Sequence, residues 1–407
     1  MTQSPARRLV VSYCFPPYAD TSAIVVAKRL RDWAEPVDVV CCDLSTMRSI
    51  DPTLTEIAGP WVRRFHAVPT RPSFENWQRM VEFTQSGLAT VMRWQQEQGE
   101  YEQMYSRAQF AASHVLAASI KALQPGVRWT AEFSDPLTRD AQGTIRTAPV
   151  TDDAVIDTLR DEITTRGYTP PADLNMYAWV ETAVYAMADE IIFTNANQRA
   201  YMMSVCEDAH LRDAVLAKST ISPHPTPAAE FYDLVPGTFD YEPGIVNMGY
   251  FGNFYANRGL GMFLDALSGI EERFRRRLML HVFTADAKNL MELAEQRGVA
   301  EHVRVQKQLP FLEFLNAAKQ MDVLIVNDAE FTAGADNPFL PSKWSDYKGS
   351  GTAVWGILDK NSPLTKETLA YKTGLDSQSA TEQALCSIAA LEPKTTRAYA
   401  SSTTSRP

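Results

Sequence analysis

The chain reads as an α/β protein with parallel sheets, divided into two domains. Three observations lead there. Short apolar runs of strand length alternate with segments of helical periodicity from residue 8 to residue 357. Residues 223–244 hold Pro223, Pro225, Pro227, Pro236, Gly237, Pro243 and Gly244, a density of chain breakers that marks a linker. The same alternation then resumes. A length of 407 residues suits two such domains, and a hydrophobic share of 45% supplies a core for each.

The first domain is expected over residues 1–222. Residues 8–13 are an apolar run typical of a buried strand, and residues 37–43 are the next. Between them the loop Cys14–Ser22 leads into a helix over 23–33 that either Thr21 or Ser22 can cap. Residues 73–98 carry Trp77, Met80, Val81, Phe83, Leu88, Val91, Met92 and Trp94 at mostly helical spacing, and 108–123 is a second helix. A strand over 127–133 ends at Ser134-Asp135-Pro136. Residues 137–173 are a polar excursion with one helix at 154–164. A helix over 174–188, a strand over 190–194, a helix over 196–206 and a strand over 217–221 complete the domain.

The second domain, 245–364, predicts strands at 245–250, 278–283, 303–306, 323–326 and 352–357. Helices are expected at 259–267, 288–296, 311–319 and 341–347. Residues 365–391 are read as C-terminal helices, at 365–371 and 379–391, that pack back across the domains. The tail 392–407 is rich in Ser, Thr and Pro and is expected to be disordered.

A formal net charge of −10 and a pI of about 5.2 argue against nucleic acid as a partner. No apolar run reaches membrane-spanning length, and the N-terminus lacks the pattern of a signal peptide. The five cysteines have neither disulfide-framework nor metal-ligand spacing, so a reduced, cytoplasmic, metal-free protein is expected. Trp61, Arg63, Arg64 and Phe65 form a basic, aromatic stretch suited to peripheral contact with the inner face of a membrane.

The chemistry concentrates in Asp336–Ile357, read as a loop, a short helix, a turn and a buried strand. Pro341 suits a first helical turn, which sets Ser342 and Lys343 beside unpaired N–H groups at the positive end. That is an arrangement for an anion. Asp346 shares their helix face, and Gly349 or Gly351 can end the helix. A cation and a hydroxyl for phosphate, with a carboxylate for a sugar diol, suit a nucleoside diphosphate. A plain surface helix with incidental charges would read the same way locally. The loop Met248–Gly261 joins a strand to a helix at the same sheet end. Gly249 and Gly252 allow close backbone approach there, and Arg258 is placed to reach the same diphosphate.

Several stretches together resemble glycosyltransferase family 4, whose architecture is GT-B, two facing Rossmann-like domains with parallel sheets. They are Phe15-Pro16-Pro17, Glu132-Phe-Ser-Asp-Pro136, Ala188–Asn195 with Gln198-Arg199, His224-Pro225, the glycine-rich Gly249–Gly259, and Pro341–Tyr347 with Gly351. The resemblance implies a nucleotide-sugar donor, UDP- or GDP-linked, in the second domain and a glycan or lipid-linked acceptor in the first. It implies retaining transfer without metal or other cofactor, in surface polysaccharide or glycoconjugate synthesis. Lys343 and Arg258 take the diphosphate-binding roles and Asp346 the ribose, with Ser342, Gly252 and Asn253 beside them. Pro17, Asp20 and Thr21 fall on the substrate-binding loop after the first strand, and Asp135 near the reacting carbon. Asp135 also suits a plain Asp-Pro turn.

The chain departs from that pattern at three places. Pro338 stands where the family has the first of two glutamates, Asp20-Thr21-Ser22-Ala23 replaces a Gly-Gly loop, and Tyr250 replaces a frequent arginine. Two other readings follow. One is a nucleotide-sugar epimerase of the same fold, which needs catalytic acids and a base around the sugar. The other is an inactive nucleotide-binding subunit, which Pro338 favours. His114 is read as a packing residue within its helix, His224 as a packing residue of the linker, and Arg273 to Arg277 as a solvated helix end.

Overall fold

Strands buried on both faces of a parallel sheet carry continuous apolar runs, and such runs build both sheets here. The computed structural model describes residues 6–151, 153–254, 259–285 and 287–394. The chain forms two units, one ending at Pro225 and the other beginning at Thr226. Among the described residues no helix is long and apolar enough to cross a membrane.

The first unit holds β1 (Arg8–Ser12), β2 (Val37–Cys42), β3 (Val62–Val68), β4 (Gln103–Ala108), β5 (Arg128–Phe133), β6 (Glu190–Phe193) and β7 (Ser219–Ile221). They pair in parallel in the order β3-β2-β1-β4-β5-β6-β7. Leu9, Val10 and Val11 of β1 are fully buried between the helix layers. The helix Thr21–Trp33 is capped by neither Thr21 nor Ser22. The carboxylate of Asp20, on extended backbone, accepts the Ser22 N–H at 2.8 Å. The long helix Trp77–Gln98 buries Trp77, Met80, Val81, Phe83, Val91 and Trp94, as its periodicity predicts, but leaves Met92 of the same pattern exposed. A helix at Ala209–Lys218, unforeseen in the sequence, precedes β7.

Strands β3 and β4 also escape the sequence reading. β3 is the sheet edge, where side chains alternate between the sheet's two faces. Arg63 and Phe65 are exposed, whereas Arg64 pairs with Glu97 at 2.9 Å. β4 lies at the sheet centre but carries Ser106 and Arg107, both buried. Arg107 pairs with the fully buried Glu132 of β5, which also accepts from Arg29 at 3.0 Å and from the Tyr105 hydroxyl at 2.8 Å. Burial pushes the Glu132 carboxyl up, but the two guanidiniums and the tyrosine outweigh it and hold it below its ordinary value. Arg107 also donates to Ser22 Oγ (3.1 Å) and His224 Nε2 (3.2 Å). On the other face of the sheet Trp129 Nε1 donates to Ser106 Oγ (2.7 Å), which meets His114 Nδ1 at 2.8 Å. His114 is thus a core residue, as the sequence implies.

The second unit holds β8 (Val246–Phe251), β9 (Leu278–Phe283), β10 (Val303–Gln306), β11 (Val323–Asn327), β12 (Ala353–Leu358) and β13 (Tyr371–Gly374). These strands are parallel, in the order β10-β9-β8-β11-β12-β13. Residues 365–371, expected to be helical, instead hold the end of a 3-10 turn, Pro363–Lys366, and the start of β13. A Trp355 indole N–H bond to Thr373 Oγ1 (3.0 Å) helps fasten β13 to β12. The helix Gln378–Ala389 packs on the helix Gly261–Gly269 within this unit. Its Leu385 and Ile388 join Leu264, Leu280, Ile325 and Trp355 in the core. Each fully buried leucine contributes about 1.5–3 kcal/mol. Lys394, in the predicted tail, donates its backbone N–H to Asp322 at 2.7 Å, and 395–407 lie outside the described residues.

Two buried histidines make stability pH-dependent. Burial, reinforced by the Arg107 charge, pushes His114 down to about 3. Burial, reinforced by Arg304, pushes His281 down to about 4. In the unfolded chain both regain an ordinary value near 6.5. The unfolded state therefore binds more protons below that pH, so their contribution is full above about 6.5 and lost as pH falls. The urea-unfolding free energy is expected to drop between pH 6.5 and 4.5 by up to about 1.4 kcal/mol per pH unit for each ring. A His114 resonance titrating near its ordinary value in the folded protein would contradict this.

Candidate functional site in the second unit

In an open α/β sheet, ligands bind outside the carboxyl ends of strands where the strand order reverses. In the second unit that reversal falls between β8 and β11. These strands pair only at Val323 with Met248 and Leu324 with Gly249. Beyond that point the β11 ladder no longer serves β8. The Phe251 N–H donates instead to the hydroxyl of Tyr347, at 3.2 Å. Tyr347 is fully buried on the short helix Lys343–Lys348, so the bond fastens that helix to the end of β8. A second tyrosine, Tyr232, donates to the Asp346 carbonyl at 2.6 Å and holds the helix from another side.

Lys343, the first residue of that helix, extends to the same strand end. Its ammonium lies 5.7 Å from the ring centroid of Tyr250. It also lies so close to Gly252 that a Cβ built there would overlap it. Gly252 has φ of 139°, a conformation that favours glycine. Its own N–H is already bonded to Phe283 O at 2.9 Å. Gly252 therefore serves the site by lacking a side chain, not by donating to a ligand.

The helix itself differs from expectation. It begins at Lys343 and has only six residues, and Ser342 makes no side-chain cap. With so short a helix, most of the positive potential comes from the Lys343 ammonium and little from the macrodipole. Gly349 follows the helix and Gly351, at φ of 71°, turns the chain toward β12. Ser342 is half-buried and its carbonyl accepts from Ser345 Oγ at 2.8 Å; Asp346 is buried. The preceding loop is held by Asn337, which donates to Ala329 O (2.9 Å) and accepts from the Phe339 N–H (3.0 Å). Asp359 accepts from the Phe331 N–H at 3.1 Å. Asn253 has a structural use as well. Its side-chain oxygen accepts from the Ala285 N–H (3.1 Å) and from Gln308 Nε2 (2.8 Å), tying together the loops after β8, β9 and β10. Arg258 lies outside the described residues.

The structure assigns structural uses to part of the first-unit set. Asp20, expected to bind substrate, is buried, and its carboxylate caps a helix and pairs with Arg48 at 2.8 Å. The Pro17 carbonyl accepts from the Asp51 N–H at 2.8 Å. Thr21 is exposed at the first turn of its helix, and Asp135 is exposed at the carboxyl end of β5. The loop after Asp135 is shaped by Glu181, which the sequence does not single out. It accepts the Leu137 N–H (2.7 Å), the Thr138 N–H (3.0 Å) and the Thr138 hydroxyl (2.9 Å). Tyr347 and Tyr232 escape notice for the same reason: each acts through a partner distant in sequence.

No family model matches the chain, and no curated protein matches it. Solved structures do, over nearly its full length. A sucrose-phosphate synthase from Thermosynechococcus elongatus has a TM-score of 0.59 at 12% identity, covering 94% of this chain and 89% of its own. A glycosyltransferase from Rickettsia africae ESF-5 has 0.55 at 9%, covering 97% and 92%. An E. coli structure, described as trehalose-6-phosphate from E. coli bound with UDP-2-fluoro glucose, has 0.53 at 9%, covering 95% and 92%. What is shared at such identities is the fold. This chain has the GT-B glycosyltransferase fold, built from two parallel-sheet α/β domains.

The contact between Lys343 and Gly252 is directly testable. Gly252→Ala is expected to displace the ammonium and weaken pyrophosphate binding, and Lys343→Ala, which removes the charge altogether, to weaken it at least as much, both measured by calorimetric titration. Undiminished binding by Gly252→Ala would show that the ammonium position is not what holds the anion.

Proposed function

We propose that this chain is a retaining, metal-independent glycosyltransferase that moves a sugar from a nucleoside diphosphate donor to a glycan or lipid-linked acceptor in surface polysaccharide synthesis. The observation that carries this reading is the Lys343 ammonium seated against Gly252 at the carboxyl end of β8, where the sheet order reverses. The shared fold with glycosyltransferases supports it.

The chemistry follows from charge. As the bond from the anomeric carbon to the diphosphate oxygen breaks, negative charge accumulates on the leaving group. Fixed cations that meet it there lower the barrier. Lys343 supplies one and Arg258 the second. Asp346 accepts the ribose hydroxyls. The acceptor hydroxyl attacks from the side the diphosphate leaves, which preserves anomeric configuration, and a departing phosphate oxygen takes its proton. With side chains as the cations, no metal ion is required. Asp135 lies on the acceptor side in this reading, and the exposed Arg63 and Phe65 offer a peripheral contact for a lipid-linked acceptor.

UDP or GDP at about 100 times its Kd is expected to stabilise the protein by about 2.7 kcal/mol. That raises Tm by several degrees, at roughly 2–4 °C per kcal/mol. Uridine or guanosine should do far less, and Lys343→Ala and Arg258→Ala should each shrink the shift. No shift with either diphosphate would remove the donor site from this place.

Transfer to acceptor is expected to persist in excess EDTA. Complete loss of activity that Mn²⁺ or Mg²⁺ restores would overturn the metal-independent assignment.

A further inference from the structure

Gly349 follows the helix Lys343–Lys348 at φ of −83°, so the backbone there does not call for glycine. The need is for space. A Cβ built on Gly349 would overlap the Tyr232 hydroxyl and the Thr226 methyl. Thr226 opens the second unit, and Tyr232 closes the 3-10 turn Ala229–Tyr232. The segment that leaves the linker therefore lies directly against the end of the helix that begins with Lys343.

That helix depends on outside support. Six residues are too few for a helix to be stable alone, and its last carbonyls have no partners within it. Tyr232 supplies one by donating to the Asp346 carbonyl at 2.6 Å. Tyr232 is buried and fixed in turn. Asn316 Nδ2 donates to its carbonyl at 2.8 Å, and the Asn316 side-chain oxygen accepts the Gly237 N–H at 2.9 Å. Asp233 pairs with Lys319 at 2.6 Å. A Cβ on Gly237 would fall 2.6 Å from the Glu313 carbonyl. Glu313, Asn316 and Lys319 all stand on the helix Phe311–Gln320. Residues 226–237 thus form a strap that grips one helix and props the end of another.

We propose that Tyr232 is a positioning residue for the diphosphate, and that the strap 226–237 is linked to the site through it. Opening the strap frees the short helix and with it the ammonium. An anion held by Lys343 therefore resists that opening, and the two effects are reciprocal. The inference rests on the donor site of the proposed function and extends that site into the linker.

The test is amide hydrogen exchange on the full chain, with and without pyrophosphate, alongside calorimetric titration. In wild type, saturating pyrophosphate should slow exchange severalfold across 226–237 as well as across 343–349. Tyr232→Phe removes one hydroxyl and keeps the ring. It should weaken pyrophosphate binding about two- to tenfold, the worth of one hydrogen bond, and remove the protection at 226–237. It should also speed exchange across 343–349 in the absence of ligand. Gly349→Ala, which crowds the same hydroxyl, should act likewise, and the double variant should lose no more than the worse single one. A purely structural Tyr232 would lower Tm in the Phe variant but leave the pyrophosphate Kd and the protection of the strap as in wild type, and that result would overturn the proposal. So would exchange across 343–349 that neither variant changes. Pyrophosphate bound by wild type without protection of the strap would remove the linkage and leave the donor reading standing. No binding at all would remove both.

Discussion

The hydrogen bond from the Phe251 N–H to the Tyr347 hydroxyl joins the end of β8 to the helix that begins with Lys343. It exists because β8 and β11 part after two paired positions. An N–H left at the end of a buried strand needs an acceptor, and Tyr347 supplies one from outside the sheet. One bond thus satisfies the strand, orients the helix and aims the ammonium. With Lys343 over Tyr250 and against Gly252, the site has a cation held by packing on one side and bare backbone on the other.

The first unit uses charge differently. Glu132, Arg107 and Arg29 are withdrawn from water, which is tolerable only because each meets its opposite and the remaining lone pairs are bonded. Removing one member would strand the others. Arg29 also donates to the Ser222 and Pro223 carbonyls at 2.9 and 3.0 Å, so the same cluster holds the chain where it leaves β7. Two further carboxylates, of which the sequence offers only Asp20 to a substrate, are likewise committed to structure. Asp20 caps a helix and Glu181 shapes the loop after Asp135.

Most strands were legible because burial between two helix layers demands unbroken apolar runs. β1 in the first unit and β11 and β12 in the second meet that demand, and β2, β8 and β9 do so with one polar residue each, Asp38, Asn247 and His281. β4 was not legible because Ser106 and Arg107 break the run, and only Trp129, His114 and Glu132, distant in sequence, make them tolerable in a core. β3 alternates as an edge strand does, and its two arginines hide the pattern. β13, Tyr-Lys-Thr-Gly, is too short and too polar to show a pattern and is held by pairing with β12.

By itself the sequence determined the α/β class, the break near Pro225 and the stretch that carries Lys343, because periodicity, proline density and local residue chemistry are short-range properties. Only the tertiary structure decided where the charged groups stand and what they meet. Asp20 and Lys343 look equally available in the sequence, yet one is consumed by Ser22 and Arg48 while the other is carried to the end of β8. Those outcomes depend on contacts between residues far apart in the chain, which no local pattern records.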